Sequence, residues 1–288
     1  INFGQQGFAH QPSGFTDLLN SQNLPDPAIP LPSQHFKTVT YTGNSGTQNI
    51  TGLDFAPDWV WIKERNDSGS HAVFDIIRGV QKRLKADNSN AEITQSDTLT
   101  SFNSDGFTLG GNGHTNDGNT FVAWCWNAGD STVTNTDGDI TSQVRANPTA
   151  GFSLVSYTGN GGSNQTIGHG LGVTPQAYIT KNRDSNGANW EAQWNVSVNT
   201  SVAFRGSLNL TESNQGNSLA SFTSTTFSVA SSSTARNANN KKYIAFVFSS
   251  VKGYSLVGSF VGNSNNNGAF VFCGFAPAWI MIKKSSGS

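Results

Sequence analysis

The sequence of 288 residues has few charges, few cysteines and no long apolar run. Only 12% of its residues are charged and the formal net charge is -1, so we expect no basic surface that binds nucleic acid. No stretch approaches the about 18 consecutive apolar residues of a membrane-spanning helix, so membrane insertion is not expected. Cys125 and Cys273 lie in apolar runs, which predicts buried free thiols rather than a disulfide.

Motifs of catalysis and metal binding are also missing from the sequence. It contains no Gly-x-Ser-x-Gly elbow and no phosphate-binding loop. With only four glutamates, a glycosidase-type pair of carboxylates is not favoured. The histidines form no His-x-x-x-His or Cys/His cluster, so zinc is not expected. We therefore expect neither an enzyme nor a cofactor. The isolated histidines are His10, His35, His71, His114 and His169.

One short pattern occurs three times: a proline, an apolar run and a lysine. The copies run from Pro57 to Lys63, from Pro175 to Lys181 and from Pro277 to Lys283. Runs of Trp, Val, Ile and Tyr favour β-strands, and a proline at a strand entrance removes no ladder hydrogen bond. We expect each lysine to be a charged strand end that blunts further pairing. The sequence therefore predicts one structural unit used repeatedly.

Other landmarks recur in the same order around the first two copies. Each copy has an opening Tyr-Thr-Gly-Asn stretch and a closing apolar strand. The spacing grows only from 116 residues, between Tyr41 and Tyr157, to 122 residues, between Trp124 and Phe246, as small loop insertions would produce. A third opening, at residues 256–263, precedes the third proline pattern, and we expect its missing strands to come from beyond Ser288 or from a neighbouring chain.

The coarse organisation follows from these repeats. Short strands separated by Gly/Asn/Ser loops predict an all-β fold of tandem β-sandwich or jelly-roll-like units that arose by internal duplication. Residues 71–85 are the one plausible helix, and Asp105–Gly106 predicts a β-hairpin between two apolar runs. The predicted parts are the end of a preceding sandwich with a Pro-rich arm, a first sandwich with its connector, a second sandwich and an incomplete third: residues 1–35, 36–150, 151–252 and 253–288.

The tryptophans of these strands keep their bulk from copy to copy but not their flat rings. Trp59 aligns with Ala177 and Trp279, and Trp61 aligns with Ile179. A core needs volume whereas a sugar platform needs a flat ring, so we expect these side chains to fill the space between sheets.

Two further sets of residues are candidate binding sites. Trp190 and Trp194 lie in a polar stretch and are the candidates for stacking on a glycan at the surface. Asp137 and Asp139, with Asn135, have the spacing of a Ca²⁺ loop. The position of the distal bidentate glutamate holds an alanine, so a turn built on Asp-Gly is favoured and no metal is expected.

The motifs resemble those of a tandem β-repeat family in structural proteins of tailed bacteriophages and marine viruses. The resemblance rests on the Tyr-Thr-Gly-Asn opening and on a Gly-Leu-x-x-x-Pro strand entrance at residues 52–57 and 170–175. It also includes an Asn-Thr-Asp-Gly connector at 135–138 that ends in Arg-Ala-Asn-Pro at 145–148. The resemblance implies a tail fibre, a spike or a capsid-decoration protein on the extracellular surface of a virion, with no catalytic residues.

The N-terminal residues carry a second resemblance. Residues 2–5, 12–15 and 23–25 resemble the end of a SPRY-like lectin-type sandwich, a domain that often precedes such repeats in phage chains. Because the sequence begins in mid-pattern, we expect it to be a fragment of a longer polypeptide.

These observations lead to one expectation about function and two alternatives. We expect a non-enzymatic virion structural protein that forms a homo-oligomer, contacts other virion proteins and meets the host surface. The alternatives are an adhesin that binds a host surface glycan and, less favoured, a capsule polysaccharide depolymerase.

Overall fold

The computed structural model describes residues 28–195, 204–211, 221–229 and 233–284. These residues form eighteen β-strands and one short 3-10 helix, Pro32–Gln34, and contain no α-helix, so the prediction of an all-β fold is confirmed. No helix in this part of the chain has the length and apolarity to cross a bilayer. The motifs predicted at residues 2–5, 12–15 and 23–25 lie outside the described residues.

The first unit contains nine strands in three antiparallel sheets. The largest sheet has the order β1-β9-β3-β4, a second has the order β2-β8-β7, and β5 pairs with β6. The hairpin predicted at Asp105–Gly106 is present between β7 and β8. The strands are β1 (Phe36–Thr42), β2 (Gln48–Thr51), β3 (Trp59–Glu64), β4 (Ala72–Asp75), β5 (Lys82–Arg83), β6 (Ile93–Thr94), β7 (Leu99–Asn103), β8 (Gly106–Leu109) and β9 (Thr120–Trp126).

The second unit has a seven-stranded sheet in the order β10-β11-β12-β18-β14-β15-β16 and a two-stranded sheet, β13-β17. The connector, which the sequence assigned to the first unit, contributes β10 and β11 to this sheet, so the boundary lies before β10 rather than at residue 150. The strands are β10 (Thr132–Asn135), β11 (Ser142–Asn147), β12 (Phe152–Thr158), β13 (Gln165–Gly168), β14 (Ala177–Asn182), β15 (Glu191–Trp194), β16 (Phe204–Ser207), β17 (Thr226–Val229) and β18 (Lys242–Phe248).

The two units share one pattern of strand pairing. In the first unit β1 and β3 flank the closing strand β9, and in the second unit β12 and β14 flank the closing strand β18. β4 extends the first sheet from β3, as β15 extends the second from β14. The registers correspond as well, since Tyr41 lies opposite Phe121 and Tyr157 lies opposite Tyr243. An origin by duplication explains this correspondence and remains a prediction.

Each unit buries its own apolar core between its large and small sheets. Because successive strand residues point to opposite faces, β3 places Val60 and Ile62 in the core of the first unit and Trp59 and Trp61 on the other face. The core of the first unit includes Leu53, Val60, Ile62, Phe74, Phe107 and Phe121, and that of the second includes Val155, Tyr157, Tyr178, Phe227, Tyr243 and Val247.

A third core lies between the two units, where the large sheets pack face to face. Trp59 is 1% exposed, and its ring centroid lies 4.0 Å from that of Trp126 and 4.4 Å from that of Phe246. The prediction that the strand tryptophans fill a core is confirmed, although the core separates two sandwiches and not the sheets of one. Its members include Trp59, Trp61, Val73, Leu84 and Trp126 from the first unit, and Phe152, Leu154, Ile179, Trp190 and Phe246 from the second.

The helix predicted at residues 71–85 is wrong. This segment contains β4, a turn and β5, and the turn includes Gly79 with φ +87° and Gln81 with φ +65°. Both faces of β4 are buried, because Val73 packs between the units while Ala72 and Phe74 pack inside the first. A strand buried on both faces has no alternation of apolar and polar residues, which is why the sequence resembled a weak helix.

The strands predicted for the third unit are not formed in its described part, residues 253–284. An isolated bridge, Val251 to Ser255, is the last β-pairing among the described residues, and the segment that follows it is largely exposed. Val261 is 88% exposed and Phe270 is 90% exposed. In the two complete units the corresponding strands pair with a closing strand, and the described residues contain no third one.

Candidate functional site

The recurring opening motif anchors a long loop in each unit. The hydroxyl of Tyr41 donates a hydrogen bond to the carbonyl of Thr115 at 2.6 Å, and that of Tyr157 donates to the carbonyl of Arg236 at 2.7 Å. Each tyrosine ring also stacks on the aromatic ring opposite it in the closing strand, with centroids 5.2 Å and 5.0 Å apart. The motif tyrosine therefore serves the fold of its own unit.

The asparagine of the motif forms a reciprocal clamp with a second asparagine far along the chain. Asn44 N donates to Asn116 Oδ1 at 2.9 Å, and Asn116 Nδ2 donates to Asn44 Oδ1 at 3.1 Å. Asn160 and Asn237 repeat both bonds at 3.0 Å. The preceding Gly43 is required by space, because a Cβ there would lie 1.7 Å from a backbone oxygen of the loop. Sequence reasoning missed both clamp partners, which sit in Gly/Asn loops without a distinctive pattern.

The side chain of the residue after each strand-entrance proline accepts a hydrogen bond from the backbone just after the closing strand. Asp58 Oδ2 accepts the backbone N–H of Ala128 at 2.7 Å, and Gln176 Oε1 accepts that of Ser250 at 2.6 Å. Asp58 also forms an ion pair of 2.7 Å with Arg145 of β11, which ties the first unit to the sheet of the second. Burial raises the pKa of Asp58 to about 6, against the opposing effects of the Ala128 N–H and the Arg145 charge.

The prediction that the recurring lysines are charged strand ends that prevent further strand pairing is wrong for Lys63 and Lys181, which lie in paired strands. Lys181 is fully buried within β14, is paired with Ile244 of β18, and donates from Nζ to the carbonyl of Asn182 at 2.7 Å. Lys63 makes the equivalent bond to the carbonyl of Glu64 at 2.6 Å. Burial lowers the pKa of Lys181 to about 8. Both ammonium groups act as local caps on the backbone of their own strand.

The two glycan candidates differ in accessibility. Trp190 is 2% exposed, lies in the core between the units, and donates from Nε1 to the carbonyl of Lys85 at 2.7 Å. The hypothesis of a surface platform is therefore wrong for Trp190, whose polar neighbours in sequence belong to the edges of a buried strand. Trp194 is half-buried beside Phe204, with ring centroids 4.9 Å apart, and stays a candidate.

The candidate calcium residues form a turn. Asp139 Oδ2 accepts the backbone N–H of Thr166 at 2.9 Å and its hydroxyl at 2.7 Å, and these bonds lower the pKa of Asp139. Asp137 Oδ2 accepts a bond from Asn135 Nδ2 at 3.1 Å. The carboxylate of Asp139 thus joins the connector to β13, whereas that of Asp137 bonds within the turn. Across the described ranges, no group of three His, Cys, Asp or Glu residues is arranged to hold a metal.

An ion-pair network bridges the units beside the aromatic core. Arg183 of the second unit binds Glu92 of the first through two hydrogen bonds of 2.9 Å and 3.0 Å. Arg78 binds the same carboxylate at 3.1 Å and also forms a buried ion pair with Asp75. Burial opposes ionisation of Glu92, but the bonds and charges of the two arginines outweigh it and lower its pKa. Only Asp75 and Arg78 are close in sequence, so sequence reasoning could not find the bridge from Glu92 to Arg183.

A groove opens at the edge of the core between the units. Its volume is about 370 Å³, and its lining includes Trp61, His71, Asp87, Asn209 and Met281. Trp61 Nε1 donates to His71 Nδ1 at 2.7 Å, which fixes that nitrogen as an acceptor, and burial lowers the pKa of His71. The groove combines apolar side chains, among them Leu208, Leu210 and Met281, with the amide of Asn209 and the carboxylate of Asp87, which suits a ligand with both apolar and hydrogen-bonding groups.

The prediction of buried free thiols is confirmed for Cys125 and is wrong in burial for Cys273. Both are free thiols; Cys125 is buried in the core of the first unit, and Cys273 is half-buried.

Comparison with known proteins gives one match. A family model described as "Domain of unknown function (DUF7483)" matches residues 31–288, a range that includes both sandwiches and the segment after them. No curated protein and no solved structure matches the chain.

Proposed function

The chain belongs to the family of the DUF7483 domain, and we propose that it is a non-enzymatic structural component of a bacteriophage virion. The resemblance of its motifs to tandem repeats of phage and marine viral proteins supports a tail fibre, a spike or a capsid-surface component. On this proposal the protein is exposed on the particle, assembles with copies of itself and with other virion proteins, and contacts the host surface.

The observation that carries the proposal is the fusion of two sandwiches through a buried aromatic core. Trp59 stacks on Trp126 of its own unit and meets the ring of Phe246 across the boundary, and the Glu92 to Arg183 ion pair also joins the two units. Interfaces between domains that move against one another are usually more polar than this. A body of this kind suits a component that must keep its shape while it transmits or resists force.

The use of the recurring residues supports the same proposal. The motif tyrosines, the motif asparagines and the two lysines Lys63 and Lys181 are engaged in hydrogen bonds within their own units. What recurs between the units is therefore what each sandwich needs to fold. A family selected for architecture is expected to keep such residues, whereas a family selected for catalysis is expected to keep a chemical cluster.

The experiment that tests the proposal locates the protein on particles. Antibodies raised against the purified chain are applied to intact phage particles whose genome encodes the chain and are detected by gold labelling in the electron microscope. We expect labels at a defined position on the tail or the head surface. Antibody that detects the protein only in infected-cell extract, and not on purified particles, would contradict the proposal.

A second candidate function, glycan binding, is favoured by the groove beside Trp61. Aromatic, amide and carboxylate groups around a cavity of about 370 Å³ are the groups with which proteins bind sugars. A glycan array with the intact chain tests this candidate. Loss of binding in Asp87→Asn with retention in Trp194→Ala would assign the glycan to the groove, and the reverse result would assign it to Trp194.

A further inference from the structure

An arginine occupies the same place in both complete units. In the second unit Arg205 of β16 lies opposite Gln193 of β15. In the first unit the bridge between Val73 and Leu84 places Arg83 of β5 at the equivalent point beside β4. Because side chains in register on neighbouring strands share a face of the sheet, the two arginines can be compared contact by contact.

The arginine of the second unit has a carboxylate partner that the first unit lacks. Arg205 Nε donates to Glu191 Oε1 at 2.7 Å. Glu191 lies opposite Thr180 of β14. The residue at this place in the first unit is Ala72, which lies opposite Ile62 of β3. The first unit therefore keeps the arginine and has a methyl group where the second unit has an acid.

The guanidinium of Arg83 is buried without an acceptor. The residue is 2% exposed, and its Nε and Nη1 have no hydrogen-bond partner among the described residues. The nearby carboxylates are bonded elsewhere. Asp87 accepts the backbone N–H of His71 at 3.0 Å, and Asp97 accepts Asn112 Nδ2 at 3.1 Å. A guanidinium stays protonated when buried, and a buried charge without a partner is costly, so this group needs an anionic acceptor.

The comparison of the units also gives the size and charge of that acceptor. Beyond its Cβ, a glutamate side chain has the heavy atoms of an acetate ion, and Ala72 has none of them. In the second unit Arg236 is another cation near the acid, with Nε 3.7 Å from Glu191 Oε1. Its counterpart before the clamp asparagine of the first unit is Thr115. A single negative charge therefore balances Arg83.

We propose that Arg83 is a binding site for a small monovalent carboxylate, of which acetate is the model, at the place that the Glu191 carboxylate fills in the second unit. The anion accepts a charge-assisted hydrogen bond from Nε, as Glu191 does from Arg205. Because the site exists only in the folded first unit, the anion stabilises the folded chain by mass action. The inference stands independently of the virion role and of the groove beside Trp61.

The test compares two carboxylates of equal charge and different size. Thermal unfolding of the full chain is followed at neutral pH in sodium acetate and in sodium gluconate of equal ionic strength. Gluconate carries the same group on a chain that is larger than the missing glutamate atoms. We expect the melting temperature to rise by about 2–4 °C, with saturation, when acetate reaches about ten times its Kd, and no comparable rise in gluconate. Saturation-transfer NMR should detect the acetate methyl group on the unmodified chain.

Two variants and a control assign the effect to Arg83. Arg83→Met keeps an unbranched side chain and removes the charge, so the acetate shift should fall below about 0.5 °C. Ala72→Glu supplies the carboxylate within the chain, so it should raise the melting temperature without acetate and remove the acetate shift. Arg65→Met changes an exposed arginine of the same unit and should retain the full shift.

The outcomes that contradict the site are distinct from a failure to fold. Equal shifts in acetate and gluconate, or an acetate shift that Arg83→Met retains, would overturn the proposal. The NMR measurement needs no variant, so absence of an acetate signal on the unmodified chain would overturn it even if Arg83→Met or Ala72→Glu does not fold.

Discussion

The two faces of β3 show how a repeated unit can keep its fold and yet form a new interface. On the face inside the first unit, Val60 and Ile62 correspond to Tyr178 and Thr180, and all four side chains are buried. On the face between the units, by contrast, corresponding residues differ in size, and Trp59 packs against the rings of Phe152 and Phe246. Trp59, for example, corresponds to Ala177 of the second unit.

The two faces of the large sheets have different packing requirements. The inner face meets the same small sheet in every unit, so its residues need only preserve a filled sandwich. The outer faces meet one another, so bulk on one side must fill the room that the other side leaves. The residues on the outer faces are therefore free to differ between the units as long as the interface is filled, and the predictions below test this contrast from the largest expected effect to the smallest.

Removal of the central ring should disrupt the core between the units most strongly. Trp59→Ala deletes a 1% exposed side chain and leaves a cavity among Trp126, Phe152 and Phe246. We expect a loss of about 3–5 kcal/mol in the free energy of unfolding. Scanning calorimetry should resolve separate transitions for the two units in the variant. Ile280→Ala, at an exposed position, is the control and should shift stability by less than about 0.5 kcal/mol.

The asparagine clamps should act within one unit only. Asn116→Ala removes the hydrogen bonds to Asn44, Gly46 and Gly110, and we expect a loss of about 2–3 kcal/mol. Asn237→Ala should produce a similar loss in the second unit. Hydrogen exchange resolved along the chain should show faster exchange of β1 and β9 in the first variant and of β12 and β18 in the second. Equal acceleration of both units by either variant would refute a local role.

The Asp58 clip should make stability depend on pH, unlike its uncharged counterpart Gln176. Because the folded pKa of Asp58 is raised from 3.8 to about 6, its contribution is fully present below pH 3.8 and is lost as pH rises through about 6. We expect Asp58→Asn to remove roughly 2 kcal/mol of this fall, measured by urea unfolding at several pH values. Gln176→Ala should lower stability by a constant amount over the same range, and an unchanged slope in Asp58→Asn would contradict the assignment.

The Glu92 bridge should have the opposite pH dependence and the smallest effect. Its folded pKa is lowered from 4.5, so its contribution is present above pH 4.5 and is lost as pH falls through the folded value. Glu92→Gln should cost about 1–2 kcal/mol at neutral pH and progressively less in acid. A double-mutant cycle with Arg183→Gln isolates the pair, and a coupling energy near zero would show that the bridge contributes nothing to docking.

Features with a local cause could be predicted from the sequence. The strand-entrance prolines, the Asp-Gly hairpin and the recurring landmarks each follow from neighbouring residues, and the structure places strands at each of these sites in the two complete units. The matching positions of β9 and β18 in their sheets also follow from the sequence, because the two closing strands align over their whole length.

Features that depend on distant contacts could not be predicted. Residues 71–85 were misinterpreted as a helix because a strand buried on both faces has no two-residue period. The polar neighbours of Trp190 in sequence predict a surface position. Those neighbours include the buried Glu191 and Gln193, and the ring of Trp190 reaches the first unit. Asn116, Asn237 and the partners of Glu92 lie in loops or irregular stretches, where only the folded chain brings them together.

Equilibrium unfolding followed by hydrogen exchange and mass spectrometry tests most directly whether the aromatic core makes one body of the two sandwiches. The amides of β9 and β18 belong to different units and should lose protection at the same denaturant concentration, in a single transition. Protection of β18 that persists well after β9 has unfolded, in the unmodified chain, would contradict the account.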